Sequence, residues 1–231
     1  MSPQRAVLVT GASRGLGAAF CRQYAAEGWQ VFAACRSLPG SGAMAKTGVT
    51  FVQMDVADPA SIARCAAQLA DVPLDLMINN AGVMGDAEAG PLQAEPSAWE
   101  AAFRINVLAP ALVTRAFQPN LSAAPMPVAA TMGSQAGIFR FITDARMAAY
   151  RATKAAAHAV TLSLASELAP MGIPYVSLRP GPTRTDMLKG GGQYEIDDSV
   201  ARLRRVLAGV TPAQSGLFLD RDGSTFPYDA P

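Results

Sequence analysis

The chain predicts an α/β fold: one doubly wound domain over residues 1–231, with a mostly parallel sheet flanked by helices on both faces. Three observations predict it. Short apolar runs rich in β-branched residues alternate along the whole length with longer, Ala-rich helical stretches, as a parallel sheet with crossover helices requires. Half of the 231 residues are hydrophobic and 16% are charged, enough apolar surface for a substantial core. Glycine and polar motifs fall just after the apolar runs, where such sheets bind their ligands.

Taken in order, Ala6 to Thr10 (AVLVT) reads as a strand buried on both faces. A glycine-rich turn from Gly11 to Gly17 leads into a helix from about Leu16 to Glu27, with Gly28 as its C-cap. Strands follow near Val31 to Ala34 and Val49 to Met54. Asp58-Pro59 is an N-cap and first helical position, opening a helix to about Leu69. A fourth strand, about Leu74 to Ile78, runs into Asn79-Asn80-Ala81-Gly82. A helix near Ser97 to Phe117 precedes a poorer strand at Pro127 to Thr131. The long helix from about Ala148 to Leu168 precedes a strand at Tyr175 to Leu178. A last helix runs near Ile196 to Leu207, and Leu217 to Leu219 predicts an edge strand. No Pro- or Ser-rich linker, repeat or low-complexity tail interrupts this series.

The composition excludes several function classes. A net charge of +1 without a basic run argues against nucleic acid or an anionic membrane as partner. The first apolar run is too short for a signal-peptide core or a membrane span. Cys21, Cys35 and Cys65 form no CxxC pair, so neither a disulfide framework nor a metal site is expected, and a reducing cytoplasm is the default.

The glycine turn carries the first functional expectation. Gly11, Gly15 and Gly17, between the first strand and the first helix, let the backbone turn tightly and approach a pyrophosphate held at the helix N-terminus. This is the position of the dinucleotide turn in a Rossmann-type sheet, although the spacing is not GxGxxG. The second strand ends at Cys35-Arg36 with no acid, and Arg14 lies inside the turn. Cations there suit a 2′-phosphate where an acid would suit a free ribose hydroxyl. NADP(H) is therefore favoured, with NAD(H) the alternative. Asp55, after the third strand, either accepts from the adenine amino group or caps a turn or the following helix. Asn79 and Asn80 either tie neighbouring strand ends together or sit in a plain turn.

Tyr150 and Lys154 lie four apart on the long helix, on one face. Lowering a tyrosine pKa by about 3 units takes roughly 4 kcal/mol. One ammonium about 4 Å away at an effective dielectric near 20 supplies that. Such a pair is a candidate general acid or base, although the spacing also occurs by chance on many helices.

TGxxxGxG at Thr10 to Gly17, NNAG at Asn79 to Gly82, YxxxK at Tyr150 to Lys154 and Pro180-Gly181 stand in the order of a known family. From about Ala6 to its C-terminus the chain resembles a short-chain dehydrogenase/reductase. Within that family it is most similar to the C-factor-like carbonyl reductases, in its YRATKAA run, its ending Phe218 to Tyr228 and the wide separation of Ser134 and Tyr150. The resemblance implies a catalytic set of Asn106, Ser134, Tyr150 and Lys154. Tyr150 would protonate a ketone or aldehyde oxygen that Ser134 orients, Lys154 would tune Tyr150 and bind the nicotinamide ribose, and Asn106 would support a relay water. It also implies cofactor contacts from Gly11, Ser13, Arg14, Gly15, Leu16 and Gly17 in the first turn. Further contacts would come from Arg36, Asp55, Val56, Asn80, Ala81 and Gly82. The last would come from Tyr150, Lys154, Pro180, Gly181, Thr183 and Thr185, with Thr183 replacing a more usual valine.

The implied substrate is a small carbonyl compound or alcohol. The loops at 138–147 and 186–195 are expected to select it, the substrate loop extending over about residues 186–200. Phe139, Phe141, Met147, Met187 and Tyr194 suggest either an apolar pocket or simple packing. His158, the only histidine, is read as a packed helix residue. Small residues on the two long helices suggest a homo-oligomer, a dimer or tetramer. The rival reading is a cofactor-sensing or signalling protein on the same fold.

Overall fold

The structure is a computed structural model describing residues 4–38 and 48–228. Seven strands form one parallel sheet in the order β3-β2-β1-β4-β5-β6-β7. They are β1 (Ala6–Thr10), β2 (Gln30–Cys35), β3 (Val49–Gln53), β4 (Leu76–Asn79), β5 (Val128–Met132), β6 (Tyr175–Arg179) and β7 (Phe218–Asp220). The helices are α1 (Gly15–Ala26), α2 (Pro59–Gln68), α3 (Pro96–Phe103), α4 (Ala109–Ser122), α5 (Ala148–Leu168) and α6 (Ile196–Ala208). The fold class expected from the sequence is the one observed.

Alternation along β1 divides the core. Val7 and Val9 face a cluster with Phe20 and Tyr24 of α1 and Val200 and Leu203 of α6. Ala6 and Leu8 face the other cluster, with Ile62 of α2, Phe117 and Leu121 of α4 and Leu168 of α5. Successive strand residues point to opposite faces, so a sheet covered on both sides needs unbroken apolar strands. That is why AVLVT, fully buried, carries no polar alternation.

One expected element differs. The helix read as continuous from Ser97 to Phe117 opens into a π turn at Arg104–Leu108, between α3 and α4. Pro110 supplies the physical reason: it has no N–H for the carbonyl four residues earlier, that of Asn106. Asn106 thus sits in a widened turn, buried.

All seven strands run the same way, so the loops after β1 to β6 gather at one edge of the sheet. The strand order reverses between β1 and β4, and the crevice for a ligand opens there.

Candidate active site

The β1 and β4 loops interlock. Asn80 Nδ2 donates to the carbonyls of Thr10 (2.9 Å) and Gly11 (3.2 Å), while the Thr10 hydroxyl accepts from the N–H groups of Asn80 and Ala81. Of the two readings of the asparagines, tying strand ends together is the one observed. Asn79 points the other way, buried, with its amide on the Thr114 and Tyr175 hydroxyls. Gly11 has φ 63°, and a Cβ on Gly17 would lie 2.6 Å from Asn80 Nδ2. Only glycine fits both places.

The first turn of α1 has no acidic residue, and its N-cap, Arg14, makes no side-chain cap. By contrast Asp58 caps α2 through the Ala60 N–H at 2.9 Å, as the sequence predicts. Backbone N–H groups at the start of α1 are therefore presented, not occupied by a side chain, which suits an anion such as a pyrophosphate. Ser13 and Arg14 are exposed, as is Arg36 just past β2. Asp55 accepts from the Ala57 N–H at 2.9 Å, so one of its oxygens caps a turn; Val56 beside it is half-buried.

The catalytic candidates converge from three elements. Ser134 follows β5, and its turn packs so closely on α5 that a Cβ on Gly137 would meet the Lys154 carbonyl carbon at 2.5 Å. The Ser134 hydroxyl faces the Tyr150 phenol, close enough to act on its pKa. Lys154, one turn along α5, is buried and donates to the Met132 carbonyl at 2.8 Å. Asn106 holds both the N–H (2.9 Å) and the carbonyl (2.8 Å) of Val83, just past the Asn79–Gly82 motif, and donates to the Thr153 hydroxyl at 3.0 Å. Asn106 Oδ1 would lie 3.3 Å and Lys154 Nζ 4.0 Å from a Cβ on Gly82.

The electrostatics correct the expected pKa argument. Burial raises the Tyr150 phenol above its ordinary value, and only the Ser134 hydrogen bond works in the lowering direction. Burial also depresses Lys154, from 10.5 to about 8. Its ammonium lies 5.5 Å from the Tyr150 ring centre and is turned to the Met132 carbonyl. The Lys154 charge is therefore not what sets the phenol's pKa, contrary to the expectation from the spacing.

After β6, Gly181 has φ 71°. Thr183 turns its hydroxyl inward, buried against the Ser199 hydroxyl at 3.1 Å and the Pro180 carbonyl at 3.3 Å. A hydroxyl where a valine would simply pack needs partners when buried, and these supply them. Thr185 reaches the glycine turn, its Cγ2 3.9 Å from where a Gly15 Cβ would stand, and Arg14 lies 3.7 Å from Asp186. The half-buried Leu16 packs against the core beneath that turn.

The expected apolar pocket is only partly assembled. Phe139 is 78% and Met187 42% exposed at the rim. Phe141 instead packs on Phe226, and Tyr194 lies against Gly181 with the Arg221 guanidinium 3.2 Å from its ring centre. Met147 takes a left-handed conformation, φ 56°, at the N-cap of α5.

Sequence reasoning missed three residues. Thr153 links Asn106 to the Tyr150 carbonyl (2.8 Å), and its place between Tyr150 and Lys154 was the signal for it. Arg151, buried beside Tyr150, pairs with Asp144 at 3.0 Å and clasps the loop before α5. Nothing in the sequence marks Met132, which acts through its carbonyl.

Residues 5–195 match the short chain dehydrogenase family. The chain belongs to it. It is 34% identical to the C-signal of Myxococcus xanthus, over 68% of this chain and 93% of that protein. It is 32% identical to 1-hydroxy-2-glutathionyl-2-methyl-3-butene dehydrogenase of Rhodococcus sp., over 94% of this chain and 97% of the relative. Among solved structures it superimposes on the NADPH-bound carbonyl reductase from chicken fatty liver with a TM-score of 0.87, at 30% identity over 96% and 98% of the two chains. As a member of this family the chain is a nicotinamide-dependent oxidoreductase. A signalling role without turnover is not favoured.

Proposed function

We propose that this chain reduces a ketone or aldehyde carbonyl to an alcohol, with NADPH preferred over NADH. One observation carries the reading: the Ser134 hydroxyl faces the Tyr150 phenol one helical turn from a buried Lys154, at the crevice where the glycine turn presents its N–H groups. Gly11 to Gly17, with Ser13, Arg14 and Leu16, would hold the cofactor's phosphates. Arg36 and Arg14 would meet a 2′-phosphate, and the choice of NADP(H) rests on them. Asp55, Val56 and Asn80 to Gly82 would line the adenosine and ribose, and Pro180, Gly181 and Thr185 the nicotinamide. The buried hydroxyl of Thr183 leaves that residue a backbone role.

When bound, the cofactor supplies the hydride. Ser134 orients the carbonyl oxygen and Tyr150 protonates it. A phenol held above its ordinary pKa stays protonated at neutral pH, which suits a donor. Lys154 returns charge to the cleft once its ammonium reaches the ribose, and Asn106 fixes the widened turn beside it.

The 186–200 segment would act as the substrate loop of a single dinucleotide-binding domain over 1–231. Phe103, Leu108 and Leu162, between 37% and 49% exposed on or beside α3 to α5, support a homodimer or tetramer through these helices. The cytoplasm is the proposed location, and a small carbonyl compound the partner.

The test is NADPH and NADH absorbance followed against a panel of ketones, aldehydes and quinones. Turnover faster with NADPH is expected; oxidation of neither cofactor sinks the reading.

A further inference from the structure

His158 lies one turn beyond Lys154 on α5 and is buried. Its Nε2 meets the backbone carbonyl of Ser134 at 2.9 Å. A carbonyl oxygen only accepts, so Nε2 carries the hydrogen and Nδ1 is the bare nitrogen; the latter has no partner among the described residues. Burial holds the ring neutral, its pKa lowered to about 4. The contact is thus a neutral hydrogen bond at the back of the serine's turn.

The imidazole is walled by the chain's last described segment. The Phe218 ring centre is 4.5 Å and that of Tyr228 5.0 Å from it. After β7 the chain folds back through a Leu219–Thr225 bridge, and the Tyr228 hydroxyl donates to the Gly216 carbonyl at 3.0 Å. Gly133 passes through the same gap: a Cβ there would lie 2.8 Å from Phe218 and 3.1 Å from His158.

A second arm reaches the next residue of the turn. Arg179, at the end of β6, pairs with Asp220 of β7 and donates to the side chain of Gln135, the neighbour of Ser134. Its guanidinium lies 4.7 Å from the Phe226 ring centre. The turn from Ser134 to Gly137 is therefore gripped at its first carbonyl by His158 and at its second side chain by Arg179. Both grips are backed by Phe218 to Tyr228.

We propose that the C-terminal segment Phe218 to Tyr228 sets the position of the Ser134 hydroxyl, with His158 and Arg179 as positioning residues for carbonyl reduction. The proposal rests on the reading of Ser134 as the group that orients the carbonyl. A short turn with its outer contacts cut keeps its fold but loses its register to Tyr150, and a displacement near 1 Å costs up to about 10²-fold in rate.

The test uses the full chain, NADPH and whichever carbonyl of the panel the wild type reduces fastest. His158→Leu keeps the ring's bulk and deletes the donor, whereas His158→Gln returns an N–H at the same reach. The expected result for His158→Leu is a fall in kcat of about tenfold or more, with NADPH affinity unchanged, and recovery of most of kcat in His158→Gln. Wild-type kcat in a folded, NADPH-binding His158→Leu protein overturns the proposal, as does a His158→Gln protein no better than the Leu variant. Should His158→Leu not fold, Asp220→Ala, which cuts the second arm, decides: lower kcat at unchanged NADPH affinity supports the proposal, and unchanged kcat overturns it. A wild type that reduces no carbonyl overturns the Ser134 reading itself, and this proposal with it, before any variant is compared.

Discussion

The two sides of the β1–β4 crevice hold their polar groups by opposite means. Toward β3, the site is built from backbone: Gly11 in a left-handed conformation, Gly17 against Asn80, an α1 N-terminus without a side-chain cap. Its charged side chains, Arg14 and Arg36, are exposed. Toward β6 the site is built from buried side chains, Asn106, Thr153, Lys154 and His158, each bonded to a backbone carbonyl or to one another. The difference follows from the tasks. A pyrophosphate needs many weak donors at close range, which backbone supplies. A proton donor must be held to within a fraction of an ångström, which needs a locked network.

Substitutions should therefore separate the two sides. The largest effect is expected at Tyr150→Phe, which deletes one oxygen: turnover should fall by about 10³-fold or more, with NADPH binding, followed by fluorescence, nearly unchanged. Lost binding with proportionate turnover would break the division.

Next comes Lys154. Folding lowers its pKa from 10.5 to about 8, so between those values the unfolded chain binds the extra proton and Lys154 makes stability rise with pH. Its penalty, on the order of 3 kcal/mol, is present in full below pH 8 and gone above 10.5. Denaturant melts of wild type and Lys154→Met from pH 7 to 10.5 should converge as pH rises, the variant being the more stable at pH 7. The buried thiols Cys21 and Cys65, pushed up to about 12 and 11, oppose this trend equally in both proteins. Parallel curves would place the Lys154 charge in solvent.

Gly17→Ala puts a methyl against Asn80 and should cost about 1–3 kcal/mol in stability while weakening NADPH binding. A variant with wild-type melting temperature and affinity would show that the turn tolerates a side chain.

The smallest effect is expected at Arg36→Ala, an exposed cation. NADPH affinity should fall about fivefold, or about 1 kcal/mol, with NADH affinity unchanged. Equal loss for both cofactors would remove Arg36 from the 2′-phosphate.

The fold was legible because burial on both faces writes itself into β1 as an unbroken apolar run, and Asp58-Pro59 is a local capping signal read without neighbours. The glycine turn was legible for the same reason, since left-handed backbone selects glycine within a few residues of chain. Tyr150 was legible as a residue and, through the resemblance, as a proton donor, but the direction of its pKa shift was not. Its charge state depends on burial and on where Lys154 points, and the Met132 carbonyl that turns the ammonium lies 22 positions away. The π turn at Arg104–Leu108 was missed because Pro110 was passed over within a helix read as continuous from Ser97 to Phe117.

The family resemblance added Asn106 and Ser134 as candidates; by itself, the sequence determined the α/β class, the order of its elements, the backbone-built glycine turn and the spacing of Tyr150 and Lys154. These rest on periodicity, conformational preference and local spacing, which act over a few residues. Only the tertiary structure decided that Thr183 turns inward, that Phe141 and Tyr194 serve packing, and that His158 and Arg179 stand behind Ser134. Those outcomes depend on desolvation and on partners from strands and loops distant in sequence, and no spacing along the chain records them.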